Sequence, residues 1–158
     1  MYEYKLRSKT FTVRESESQP NENLRCCSPR AAVPILRSLF ASLSLDVNQE
    51  HMVVIALNSR GKVIGHKLIS SGTDTCTVCN PGQVFRAALV LGGTSVIMCH
   101  NHPSGDSTPS REDGELTKRC LSAGEILSVS LADHSIIGAG DDYHSFRTSE
   151  NWSSVERR

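Results

Sequence analysis

The chain has 158 residues, 17 of them basic and 17 acidic, and 38% of it is hydrophobic. That length predicts a single domain able to bury a core and a site without disulfide staples. Balanced charge advertises neither a nucleic-acid surface nor an acidic tail, MYEYKLRSKT lacks a signal-peptide core, and no apolar run is long enough to span a bilayer, so a cytoplasmic protein without membrane contact is expected.

From the N-terminus, Tyr4 to Val13 alternates apolar and polar residues and predicts an edge strand. Glu15 to Asn23 is polar and holds a proline, which reads as a linker. Residues 1–23 are therefore expected to form a strand and flexible arm, ahead of a domain over 24–148 and a polar tail over 149–158. Ser28-Pro29 has the signature of a helix start, and Val33, Leu36, Leu39, Phe40 and Leu43 follow at helical spacing as far as Leu45. HMVVIALN, after Glu50, predicts a buried strand. Ser59-Arg60-Gly61-Lys62 predicts a hairpin turn, with Lys62 to Ser71 as the partner strand. Asn80-Pro81 opens a helix that Gly92-Gly93 ends. Ser95 to Cys99 is a short apolar strand running into His100. Ser110 caps a helix expected from Arg111 to about Ala123, closed by Gly124. Ile126 to Leu131 and Ser135 to Ile137 are strand material, Asp141-Asp142 is a turn, and Tyr143 to Arg147 is a last short strand. Strands alternating with three helices predict a mixed α/β domain with a central sheet.

Six cysteines, Cys26, Cys27, Cys76, Cys79, Cys99 and Cys120, read as reduced thiols in the absence of a secretory signal. Cys76-Thr-Val-Cys79 has CxxC spacing, but a lone CxxC is weak evidence for metal or redox chemistry. Small residues in a turn are the plainer reading.

The informative stretch is HNHPSGDSTPSRED, His100 to Asp113. His100 and His102, two apart at a strand end, place both imidazoles on one side of the chain. Asp113 falls on the first turn of the next helix, three residues after Ser110. Two neutral nitrogens and a carboxylate make a three-ligand set with one tetrahedral position left for water, the open form of a catalytic zinc site. Such a site needs a base and an oxyanion donor; Glu50 and Ser110 are the candidates. Each residue also has a plain reading. His-x-His is often coincidence, Ser110-x-x-Asp113 is a capping box, and Glu50 alone is a solvated strand-edge charge.

His100-Asn-His-Pro-Ser-Gly-Asp106, with Pro109-Ser-Arg-Glu-Asp113, closely resembles the RadC-like members of the JAB/MPN group. Their JAMM signature is an upstream glutamate, His-x-His-Pro, seven residues, then Ser-x-x-Asp. Glu50 to Asn58, Gly72-Thr73, Pro81 with Gln83 to Arg86, Leu116 to Arg119, and Asp133-His134 with Ile136 to Gly138 resemble further family segments. The likeness covers about Leu24 to Arg147. One departure is Asn80-Pro-Gly82, where the family usually has His-Pro-Arg.

The resemblance implies a JAB/MPN (cytidine deaminase-like) α/β fold with a mixed sheet flanked by about three helices. It implies one zinc on His100, His102 and Asp113, with Glu50 as general base and Ser110 steadying the oxyanion. The reaction implied is metallopeptidase hydrolysis of a peptide or isopeptide bond in a peptide or protein substrate. Asp133 and His134 match a family pair and are expected in structural hydrogen bonding. Two other readings compete: a DNA-repair accessory or nuclease, disfavoured by neutral charge and by the short stretch ahead of the domain, and a metal-stabilised interaction module without turnover.

Overall fold

A computed structural model describes residues 2–6, 9–13, 25–26, 28–72, 79–149 and 152. The stretch expected as one edge strand forms two: β1 (Tyr2–Leu6) and β2 (Lys9–Val13) pair antiparallel in a sheet of their own. The linker at 15–23 and Cys27 and Cys76 lie outside the described residues.

Helix α1 (Pro29–Ser42) starts as its sequence predicts. Ser28 has extended backbone and its side chain accepts the Ala31 N–H, with proline at the first helical position. It ends at Ser42, three residues before the expected Leu45. β3 (His51–Leu57) and β4 (Val63–Ser71) form the expected hairpin, and Gly61 takes φ +69° in its turn. α2 (Pro81–Leu91) carries a full capping box from Asn80 and Gln83 and stops at Gly92, whose φ of +71° suits a residue without Cβ. β5 is Ser95–Asn101, two residues longer than expected, because Asn101 still pairs with Ile137.

α3 (Arg111–Leu127) corrects the expected stop at Gly124. The helix continues to Leu127 and ends at Ser128 in the left-handed region. Gly124 is instead a close-packing position, where a Cβ would sit 2.7 Å from the Val129 carbonyl and 3.1 Å from the Phe85 ring. Ile126 and Leu127 are accordingly helical, and β6 begins at Ser130 and runs to Ile137. β7 (Tyr143–Ser145) is followed by a 3-10 turn, Phe146–Thr148. Trp152, expected in the polar tail, is buried and belongs to the same core cluster as Phe146.

The main sheet has five strands in the order β4-β3-β5-β6-β7. The β5–β6 pair is parallel and every other pair is antiparallel. Period-2 alternation sends Met52, Val54, Val96 and Met98 to the face covered by α2 and α3. It sends Ile55, Leu57, Ile97 and Cys99 to the face covered by α1. Both faces are buried, which explains why β3 is buried at all seven positions rather than alternating. No helix among the described residues is long and apolar enough to cross a membrane.

Candidate metal centre

His100 is the last fully buried residue of β5, on the same face as Val96 and Met98, with Met52 of β3 opposite it in register. Glu50 stands two residues before Met52 and so shares that face, its Oε1 4.0 Å from His100 Nε2. Asp113, on the first turn of α3, brings Oδ1 within 3.2 Å of His100 Nε2 and Oδ2 within 3.6 Å of His102 Nε2. The two Nε2 atoms are 3.1 Å apart. Every sequence-predicted residue of the site is therefore brought to one place, and the ligand atoms of His100, His102 and Asp113 all lie within 4.8 Å of one another.

The hydrogen bonds fix which ring nitrogen of each histidine is free. Thr117 Oγ1 donates to the Asp113 carbonyl at 2.7 Å, so toward His134 Nδ1, also at 2.7 Å, it accepts. His134 thus carries its proton on Nδ1 and presents Nε2 as an acceptor. Burial drives its imidazole well below the usual pKa, so it stays neutral. His100 Nδ1–H then donates to His134 Nε2 at 3.0 Å, and His100 Nε2 is left with a lone pair. His102 Nδ1–H donates to the Asp106 carbonyl at 2.7 Å, which frees its Nε2 likewise. Two lone pairs facing each other at 3.1 Å repel unless a cation or proton lies between them.

A tetrahedral zinc with bonds of about 2.0–2.1 Å would hold its donor atoms about 3.3 Å apart. The Nε2–Nε2 separation of 3.1 Å and the His100 Nε2–Asp113 Oδ1 separation of 3.2 Å match that requirement, all three ligand atoms lie within 4.8 Å of one another, and the imidazole–carboxylate set suits zinc. Without the metal, a proton on an imidazole Nε2 takes up part of the cation's role, and Asp113 accepts its hydrogen bond. Burial alone would raise its carboxyl, yet hydrogen bonds from His100, His102 and Ser110 outweigh burial and hold it well below the carboxylate range. The hydrogen bond to Asp113 in turn raises His102.

Ser110 and Asp113 satisfy both readings of their spacing. Asp113 N–H donates to Ser110 Oγ at 3.1 Å, and Ser110 N–H donates back to Asp113 Oδ2 at 2.8 Å, a complete capping box. Ser110 Oγ–H also donates to Oδ2 at 2.6 Å. Oδ2 is thus anchored by two donors, while Oδ1 points toward His100 and is left for a metal.

Sequence reasoning missed the supporting residues. Asn101, the middle residue of His-x-His, accepts the His51 N–H at 2.9 Å and donates to the Gln49 carbonyl at 2.9 Å, clamping both neighbours of Glu50 to the end of β5. Thr117 and Phe146 hold His134, Phe146 stacking on its ring at 5.0 Å and 9°. The signal available was the run Asp133-His134-Ser135 between apolar residues in the strand LADHSII. The loop after His102 is tied to β6 and the turn that follows it by His102 N–H to Ile137 O, Ala139 N–H to Gly105 O, and Ser107 N–H to Asp142 Oδ2. A Cβ on Gly138 would lie 2.5 Å from the Gly105 carbonyl, so glycine is required for that approach.

Among the described residues, no cysteine belongs to the metal set. Burial pushes the thiols of Cys79 and Cys120 up to about 11 and about 12, which keeps them protonated and poor ligands. Asp133 faces away from His134 and accepts from Ser135, Ser145 and the Arg147 backbone, as expected of a structural group.

The mixed sheet between helices, and a glutamate, two histidines and an aspartate converging at the strand ends, define a JAB/MPN domain. The model of the RadC-like JAB domain matches residues 26–152, and the chain belongs to that family. It is 40% identical over 132 residues to a UPF0758 protein of Symbiobacterium thermophilum, covering 84% of this chain and 54% of the relative. A UPF0758 protein of Caldanaerobacter subterraneus is 42% identical over 123 residues, covering 78% and 51%. One from Staphylococcus haemolyticus is 42% identical over 118 residues, covering 75% and 50%. The chain spans about half the length of the curated relatives it matches.

Proposed function

We propose that the protein is a zinc-dependent hydrolase of the JAMM metallopeptidase type, acting on a peptide or isopeptide carbonyl. The observation that carries the reading is the pair of Nε2 lone pairs, fixed by His134 and the Asp106 carbonyl, converging with Asp113 Oδ1. His100, His102 and Asp113 would hold the metal. When bound, it supplies Lewis acidity, lowering the pKa of a water and polarising a carbonyl.

The chain's own groups do the rest. Glu50 stands at the rim of the donor set, 4.0 Å from His100 Nε2, and accepts the proton of the attacking water. It then returns that proton to the leaving amine. Ser110 lines the same cleft as Glu50; its hydroxyl, resting on Asp113 Oδ2, turns to donate to the developing oxyanion. His134 and Thr117 hold the His100 ring in the ligating tautomer.

The test is hydrolysis of a mixed peptide and isopeptide library by zinc-loaded protein, with and without chelator, alongside Glu50→Gln. Chelator-sensitive cleavage that Glu50→Gln abolishes while keeping its zinc is the expected result. Zinc retention with no cleavage by the wild type would leave a metal-stabilised interaction module instead.

A further inference from the structure

A cavity of about 540 Å³ opens beside the metal centre on the side away from Ser110. Its apolar walls come from Phe40 of α1, Leu45 and Val47 of the loop after it, Pro103, Ile137 and Ala139. His102 lines it too, so the cavity and the donor set share a residue. A second cleft of about 360 Å³ borders the donor set through Asp113 and is of opposite character, with Glu50, Arg111, Glu112, Glu115 and Arg119 in its walls. His102 Nε2 and Asp113 Oδ2, one from each cleft, are 3.6 Å apart. An extended chain whose carbonyl reaches the donor set therefore passes from a charged cleft into an apolar cavity.

The histidine and amide side chains of the cavity already have partners. His51 is held at Nδ1 by Ser71 Oγ and at Nε2 by the Asp46 carbonyl, both at 2.8 Å. Asn101 uses its oxygen on His51 N–H and its amide on Gln49 O. Asp46 Oδ1 accepts from Asn48. A polar occupant would lose water and gain few hydrogen bonds, whereas an apolar one loses nothing. Val47, at the rim, is 77% exposed, a large apolar side chain left in water beside an apolar hollow.

We infer that this cavity seats an apolar side chain of a bound polypeptide, at a position next to the bond presented to the metal centre. The inference rests on the hydrolase reading for the identity of the occupant as a polypeptide. It makes substrate choice one-sided, with an apolar residue required on the His102 side and charge tolerated on the Asp113 side.

Two measurements on the full chain test it. In the first, N-acetyl-phenylalaninamide and N-acetyl-aspartic acid amide are titrated into ¹⁵N-labelled, zinc-loaded protein. The phenylalanine probe should shift the amides of Val47, Gly105 and Ala139, and the aspartate probe should not. Ala41→Trp, filling the cavity from α1, should abolish the shifts with zinc content unchanged. Val47→Asp, at an exposed position that folding does not depend on, should weaken phenylalanine-probe binding several-fold. In the second, a peptide library should be cleaved with a preference for a large apolar residue on one side, about ten- to a hundredfold over a charged one, and Ala41→Trp should flatten it. If the phenylalanine probe leaves those amides unmoved, the cavity assignment falls even where peptides are cleaved. If the probe binds there and no peptide is cleaved, the hydrolase reading falls and the cavity assignment stands. Self-association that Val47→Asp removes would make the occupant a second copy of this chain and overturn the inference.

Discussion

Asp133 and His134 are neighbours on β6 that enter buried polar clusters on opposite faces of the sheet. On the α1 side, Asp133 Oδ2 accepts from Ser135 and Ser145 at 3.0 and 2.8 Å, and Oδ1 accepts the Arg147 N–H at 3.0 Å. Donors and acceptors balance and nothing is left over. On the α3 side, the chain from the Asp113 carbonyl through Thr117, His134 and His100 also balances, until it ends at His100 Nε2. The difference between a structural knot and a site is therefore not burial or polarity. It is a remainder: with both imidazoles neutral, two Nε2 lone pairs and a carboxylate oxygen are left that only a proton or a cation can satisfy.

The largest effect expected is on that remainder. His102→Ala should lose the zinc, about one per chain in the wild type, by elemental analysis of protein purified without chelator. Asp133→Ala should keep it. A wild type free of zinc would erase the distinction between the clusters. Next comes the relay. His134→Phe retains an aromatic ring on Phe146 but removes the acceptor for His100 Nδ1–H, and should weaken zinc about 10–100-fold in competition with a chromophoric chelator. His134→Gln, able to accept from His100 and donate to Thr117, should recover part of that loss.

On the other side, Asp133→Ala should cost about 1–3 kcal/mol in urea unfolding, because three donors lose their acceptor. Burial raises the Asp133 carboxyl above its ordinary value. The charged form is thus disfavoured, and Asp133→Asn should be nearly neutral, since the two serine hydroxyls can turn to accept from an amide. The smallest effect is in pH. In the metal-free protein the hydrogen bond to Asp113 raises His102 above its unfolded value. Its stabilising contribution is complete below the unfolded pKa of about 6.5 and is lost as pH rises through the folded value. Zinc requires the neutral ring, so the gain in melting temperature on zinc loading should widen from pH 6 to pH 8. A constant gain would remove His102 from the ligand set.

Much of this was legible beforehand. Proline at the start of α1 and α2, glycine at the end of α2, and the β3–β4 turn are local signals, and each lands within a few residues of its element. The site residues were legible because His-x-His at a strand end and Ser-x-x-Asp at a helix start are local geometries whose spacing already fixes a face. What failed was long-range. Gly124 looks like a stop until Phe85 and Val129 press against it, and Trp152 looks like tail until the core is assembled. The partnership of His100 with His134 spans 34 residues, and the clamp of Asn101 on Gln49 spans 52. Neither separation lies within a single helix or strand, so no local period announces it.

The parallel β5–β6 pairing also predicts an order of events in folding. β4, β3 and β5 can assemble through a hairpin and an antiparallel neighbour, but β6 reaches β5 only after the α3 crossover has docked. Loop closure of that kind is the slow part of folding. His100 acquires its tautomer-fixing partner, and Asp113 its place, in that same step. Metal capture is then a late clock rather than a nucleus: refolding followed with a zinc-sensitive dye should take up the ion only as native far-UV signal is completed, and chelator should leave the folding rate almost unchanged while accelerating unfolding.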